Sequence, residues 1–176
     1  MFPEHFTFSI ASWINEFVDW LVINYSDFFR QIADGVLSVV ILLESVLRSL
    51  PWWLFLLLVA GLALHATRRW KVAAVITLLI FLVGSVGLWD ELMQTLALMI
   101  SATLISVVMG IPIGILSARS DRLKSLVMPV LDVMQTLPAF VYLIPVLMLF
   151  GLGKVPAIFA TVIYATPPLI RLTDLG

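Results

Sequence analysis

The chain has 176 residues, of which 62% are hydrophobic and 12% charged, with a formal net charge of −1. A soluble domain averages about 45–50% apolar and about 25% charged residues. Together with a mean hydropathy of +1.13, this points to an all-α integral membrane protein and away from nucleic-acid binding, which needs a basic surface.

Chemistry is excluded on similar grounds. The absence of cysteine rules out disulfides, thiolate metal sites and cysteine nucleophiles. His5 and His65 are far apart in sequence, so a histidine metal site has little support. No phosphate loop, metal-spaced cluster or nucleophile elbow is present, so the chain reads as neither an enzyme nor a cofactor binder. Any ATP hydrolysis has to come from another chain.

Residues 1–50 form an amphipathic N-terminal region. Ile10, Trp13, Ile14, Phe17, Leu21, Phe28 and Ile32 recur at three- and four-residue steps, with Glu16, Asp19, Asp27 and Asp34 on other faces. This predicts helices over 8–33 and 35–49, lying in or near the bilayer interface. The alternative is a helix pair outside the membrane that packs on the membrane part.

Residues 51–91 read as two transmembrane helices, over 51–67 and 72–88. Trp52 and Trp53 open the first, Trp70 lies between them and Trp89 closes the second. Indole rings favour the interface, and the Trp53–Trp70 and Trp70–Trp89 separations correspond to about 25–29 Å of helix.

A third span is predicted over 92–118. Ala102, Ser106, Gly110, Gly114 and Ala118 recur every four residues and form a ridge of small side chains for close helix packing. Pro112 within it should kink the helix. The ridge suits either a pore-shaping interior helix or ordinary helix association.

The fourth and fifth spans are expected over 126–150 and 155–172, separated by the Gly151-Leu152-Gly153 turn. Pro138 and Pro145 should break one face of the fourth, and Pro167-Pro168 should disrupt the fifth near its end. Broken helices in lipid are tolerated where protein or a water-lined path re-satisfies the freed backbone. Asp132 is the acid set well inside an apolar run, a candidate pathway or gating group because its burial is costly. Gln135 and Thr136 could line the path or hydrogen-bond between helices. Tyr142 and Tyr164 could meet a cationic solute, although packing in the bundle is the commoner use of such rings.

Arg68, Arg69 and Lys71, then Arg119, Arg122 and Lys124, then Arg171 share one side if every span crosses once. The positive-inside rule makes that side cytoplasmic. The expectation is about five spans, with the N-terminus outside and the C-terminus cytoplasmic.

The stretch MQTLPAFVYLIPVLMLFGLGKVPAIFATVIYATPPLIRLTDLG closely resembles the permease subunit of bacterial glycine betaine/proline betaine ABC importers. TLALMISATLISVVMGIPIGILSARSDRL resembles the start of the binding-protein-dependent permease domain, so 92–176 reads as its N-terminal part. NEFVDWLVINYSDFFRQI is similar to the same subfamily's N-terminal region. The resemblance implies a partial type I ABC importer permease fold and an alternating-access conduit in the bacterial inner membrane. It implies cytoplasmic ATPase subunits, an extracytoplasmic solute-binding protein and a second permease copy as partners. It also implies that the family's coupling loop and further spans would follow residue 176, so the chain is expected to be a truncated product or a fragment. A permease for another small solute, such as choline or carnitine, and an ion-coupled secondary carrier remain open.

Overall fold

A computed structural model describes residues 10–176, with side chains from residue 13 onward except that of Ala139. His5 lies outside the described residues. The described chain is helical: α1 (Ile10–Ser49), α2 (Trp52–Thr67), α3 (Trp70–Ser85), α4 (Trp89–Arg119), α5 (Asp121–Thr136), α6 (Ala139–Phe150) and α7 (Lys154–Leu175). The described residues divide into two compact units, 38–101 and 10–37 with 102–176.

α1 is continuous through Asp34 and Gly35, where a break between two helices was expected. A glycine in a helix costs about 1 kcal/mol, too little to end a run that continues into residues 36–43. The backbone leaves helical geometry instead at Tyr25 (φ −123°, ψ 21°). There the Asn24 amide donates to the Trp20 carbonyl at 2.8 Å and competes with the backbone ladder.

In the 38–101 unit, α2 and α3 pack together. Tryptophans mark the starts: α2 begins at Trp52, α3 at Trp70 and α4 at Trp89. Arg68 ends α2 in the left-handed region (φ 55°), its N–H bonded to Leu64 O. Arg48 joins Glu44 at 3.0 Å and Asp90 at 3.3 Å. The Phe55 ring meets Trp89 edge-on at 5.5 Å. At 16 residues each, α2 and α3 are about 24 Å long, short of a roughly 30 Å hydrocarbon core.

In the other unit, two expectations fail. The run 126–150 is not one helix: α5 and α6 are bent by 97°. Pro138 has no N–H to continue α5, and its φ of −58° and ψ of 142° cap α6 instead. Pro138 and Pro145 therefore do not share a face of one helix. α5 carries Asp121, Arg122, Lys124 and Asp132, so it is amphipathic rather than apolar throughout.

α7, in contrast, runs unbroken through Pro167 and Pro168. Val162, Thr166, Pro167 and Ile170 are buried along one face of it, and that packing outweighs the missing donors. Thr166 Oγ1 also donates to Val162 O at 2.6 Å. Pro112 likewise lies inside the continuous α4.

Among the described residues, α4 and α7 are each long and apolar enough to cross a membrane. The number rises to 4 if each of the two bent helix pairs counts as one span. The expected fifth rests on α3, which is short for a crossing.

Candidate functional site

α7 organises the site, because α4, α5 and α6 are each fastened to it. The α6 contact follows from the tight turn between them, where Gly151 (φ 74°) and Gly153 (φ 150°) adopt backbone conformations that disfavour a Cβ. The chain reverses there, and Phe150 stacks on Phe159 with ring centroids 4.6 Å apart. Phe29 of α1 also meets Phe150 edge-on at 5.6 Å.

α5 is tied to α7 by two ion pairs. Lys124 Nζ donates to Asp174 Oδ2 at 2.6 Å, and the Asp174 side chain is only 2% exposed. Arg171 donates to Asp132 through its guanidinium. Asp132 is thus not an isolated acid at depth. Its side chain is 65% exposed and already paired. Neither pair is local in sequence, so both depend on α5 lying across the C-terminal end of α7.

α4 reaches α7 through its small residues. Ala102, Ser106, Gly110 and Gly114 are all buried. A Cβ on Gly110 would come within 2.9 Å of Leu169 Cδ2. One on Gly114 would lie 2.6 Å from Thr173 Cβ and 2.9 Å from the Ile170 carbonyl. At Gly110 and Gly114 the ridge is therefore a close crossing of α4 and α7. Its last member is Ser117, buried at 1% exposure, rather than Ala118, which is exposed. A helix turns by 3.6 residues, so a strict four-residue step drifts off the contact face. Ser117 faces the Asp174 carboxylate. Its Oγ, Asp174 Oδ1 and Arg171 Nε are buried without a hydrogen-bond partner within normal limits.

The break between α5 and α6 has its own repair. In a continuous helix Met134 O would accept from the N–H of residue 138, and proline has none. Tyr142 Oη donates to that carbonyl instead, at 2.6 Å. Leu137 N donates to Val133 O at 3.1 Å, and Thr136 Oγ1 donates to the same carbonyl at 3.0 Å. Thr136 thus bonds within its own helix rather than to a neighbour. The Met134 carbonyl freed by Pro138 is thus re-bonded by a chain-local donor at the 97° bend.

The other sequence candidates scatter. Gln135, Pro145 and Pro168 are exposed, while Pro167 is buried. Tyr164, for which bundle packing was the commoner expectation, is 74% exposed and faces away from the packed side of α7. Arg119 and Arg122 are exposed beside the half-buried Lys124. Sequence reasoning missed Asp174, Ser117 and Thr173. Asp174 lies one helical step beyond Ile170 on the buried stripe of α7, and that period was the available signal.

Comparison with known proteins bears on this arrangement. Residues 110–176 match the family described as "Binding-protein-dependent transport system inner membrane component". The chain is 41% identical to the glycine betaine transport system permease protein OpuAB of Bacillus subtilis over 168 residues, covering 95% of this chain and 59% of that protein. It is 39% identical to the glycine betaine/proline betaine transport system permease protein ProW of Escherichia coli, covering 99% of this chain and 49% of that one. It is 38% identical to the glycine betaine/carnitine transport permease protein GbuB of Listeria monocytogenes, covering 99% and 62% respectively. The chain thus spans about half to three-fifths of the length of these curated relatives.

Proposed function

We propose that this chain, a homologue of the binding-protein-dependent inner-membrane permeases, builds part of an alternating-access path for glycine betaine and similar quaternary ammonium solutes. The observation that carries the reading is the sharply bent α5–α6 pair fastened to α7. A bent helix whose freed Met134 carbonyl is re-bonded locally, set beside a long apolar helix, is an element that can change its packing in the membrane. Asp132, Gln135, Thr136, Pro138, Tyr142 and Pro145 belong to that element, and Tyr164, Pro167 and Pro168 to the helix beside it.

The chain carries no catalytic role in this reading. Its partners are cytoplasmic ATPase subunits, an extracytoplasmic solute-binding protein and a second permease copy. Residues 51–91 serve as a membrane helix pair preceding the permease domain of 92–176. The end of α7 and the start of α5 face the cytoplasm, which follows the positive-inside rule for Arg119, Arg122, Lys124 and Arg171. The Lys124–Asp174 pair supports that grouping, because two bonded side chains share one membrane face. The N-terminus lies on the opposite side.

The test is uptake of radiolabelled glycine betaine by the intact transporter carrying this chain, in a strain without other betaine uptake. Pro138→Ala restores a backbone donor and should straighten the bend, so uptake should fall severely while membrane insertion persists. Wild-type uptake by Pro138→Ala would contradict the role of the bend. Uptake that persists without the ATPase and follows an ion gradient would move the chain to the secondary carriers.

A further inference from the structure

α2 and α3 flank an open apolar groove of about 730 Å³, lined by Leu57, Ala60, Gly61, Ala73, Ala74 and Phe81 among others. Trp70 lines the groove and also a second, smaller cleft formed by Arg68, Arg69, Trp70, Lys71 and Val72. An apolar trough therefore opens at one end onto three cations.

Those cations are available. Arg68, Arg69 and Lys71 are exposed, and none has an ion pair among the described residues. Lys71 Nζ sits 5.9 Å from the centre of the Trp70 ring, at the junction of the two spaces. Arg68 occupies a left-handed cap, φ 55°, where glycine is the favoured residue.

We propose that this hairpin is a binding site for an anionic phospholipid. One acyl chain lies in the α2–α3 groove, and the phosphate-bearing headgroup is held by Arg68, Arg69 and Lys71. Charge complementarity selects the ligand. A zwitterionic lipid would fill the groove equally well but would leave the cations without a net countercharge. Basic pockets between membrane helices recognise anionic headgroups for this reason. The inference concerns α2, α3 and their loop and does not depend on the transport reading.

The experiment measures lipid binding to the purified full chain by native mass spectrometry, with phosphatidylglycerol and phosphatidylcholine of identical acyl chains. Phosphatidylglycerol should be retained and phosphatidylcholine should not. Neutralising Arg68, Arg69 and Lys71 to glutamine should weaken phosphatidylglycerol binding by about fivefold per charge removed. Arg68→Gly guards against misfolding, because glycine suits that cap while deleting one charge; it should stay as stable as wild type and lose about fivefold in affinity. Ala74→Trp should block the groove and reduce binding with the cations intact. Equal retention of the two lipids would overturn the proposal. So would unchanged binding in the glutamine variant, or displacement of the lipid by millimolar inorganic phosphate, which would make the site a plain anion cleft.

Discussion

Gly110 and Gly114 occupy the same ridge, yet a methyl group at each should have unequal consequences. At Gly114 the new Cβ would lie 2.6 Å from Thr173 Cβ, 2.9 Å from Thr173 Cγ2 and 2.9 Å from the Ile170 carbonyl oxygen. Comfortable carbon–carbon separation is about 3.5–4.0 Å. A Cβ and a backbone carbonyl cannot rotate away, so α7 itself would have to retreat by about 1 Å. Overpacking of that kind costs about 1–3 kcal/mol, and the upper part of the range applies where backbone must move. Alanine returns about 1 kcal/mol in helix propensity, leaving Gly114→Ala destabilised by about 1–2 kcal/mol. At Gly110 the nearest atoms are Leu169 Cδ2 at 2.9 Å and Cγ at 3.1 Å. A leucine side chain can change rotamer, so Gly110→Ala should lie within about 1 kcal/mol of wild type. Thermal unfolding of the two variants in detergent, followed by size-exclusion of the unaggregated fraction, gives the comparison. Gly114→Ala should aggregate at a clearly lower temperature than Gly110→Ala. Equal behaviour, or a more stable Gly114→Ala, would refute the close α4–α7 crossing.

Other expectations rest on separate contacts. Tyr142→Phe leaves the Met134 carbonyl without its donor and should cost about 1–3 kcal/mol, seen as faster amide exchange over residues 134–142. A charge swap tests the second ion pair: Asp132→Arg or Arg171→Asp alone should lower uptake by the intact transporter, and the double swap should recover part of it. Because Asp132 and Arg171 are 65% and 35% exposed, the stability effect of each single change should stay within about 1 kcal/mol. Ser120 accepts from Leu123 N at 3.4 Å as the N-cap of α5, so Ser120→Ala should cost about 0.5 kcal/mol, the weak end of the capping range, read as earlier unfolding of α5 by amide exchange.

The membrane character, the helical class and most helix ends were legible in the sequence, because they depend on composition and on single punctuating residues. Tryptophans 52, 70 and 89 all fall at helix starts, Trp89 opening α4 rather than closing the preceding span as expected, and glycines 151 and 153 fall in the expected turn before α7. The small-residue ridge was legible for the same reason, apart from the shift from Ala118 to Ser117 that a 3.6-residue period demands. Proline was read unevenly. A missing donor predicts a break wherever it falls, but whether the helix stops depends on neighbours. Pro138 ends α5 where Tyr142 can repair the carbonyl, while Pro167 is carried through by burial of the face it belongs to. The ion pairs were not legible. Lys124 and Asp174 stand 50 residues apart, and no local pattern links residues that meet only through the packing of α5 on α7. Asp132 therefore looked like a lone buried acid until its partner was placed beside it.

The central claim is that α7 crosses the membrane once, with the Gly151–Gly153 turn at one face and its C-terminal end at the face shared with the start of α5. Because the chain contains no cysteine, single cysteines can be placed at Leu152, Arg122 and Leu175, all exposed positions. A membrane-impermeant maleimide should label Leu152→Cys in spheroplasts with an intact inner membrane, and should label Arg122→Cys and Leu175→Cys only after permeabilisation. Labelling of Leu152→Cys and Leu175→Cys from the same side would contradict the account.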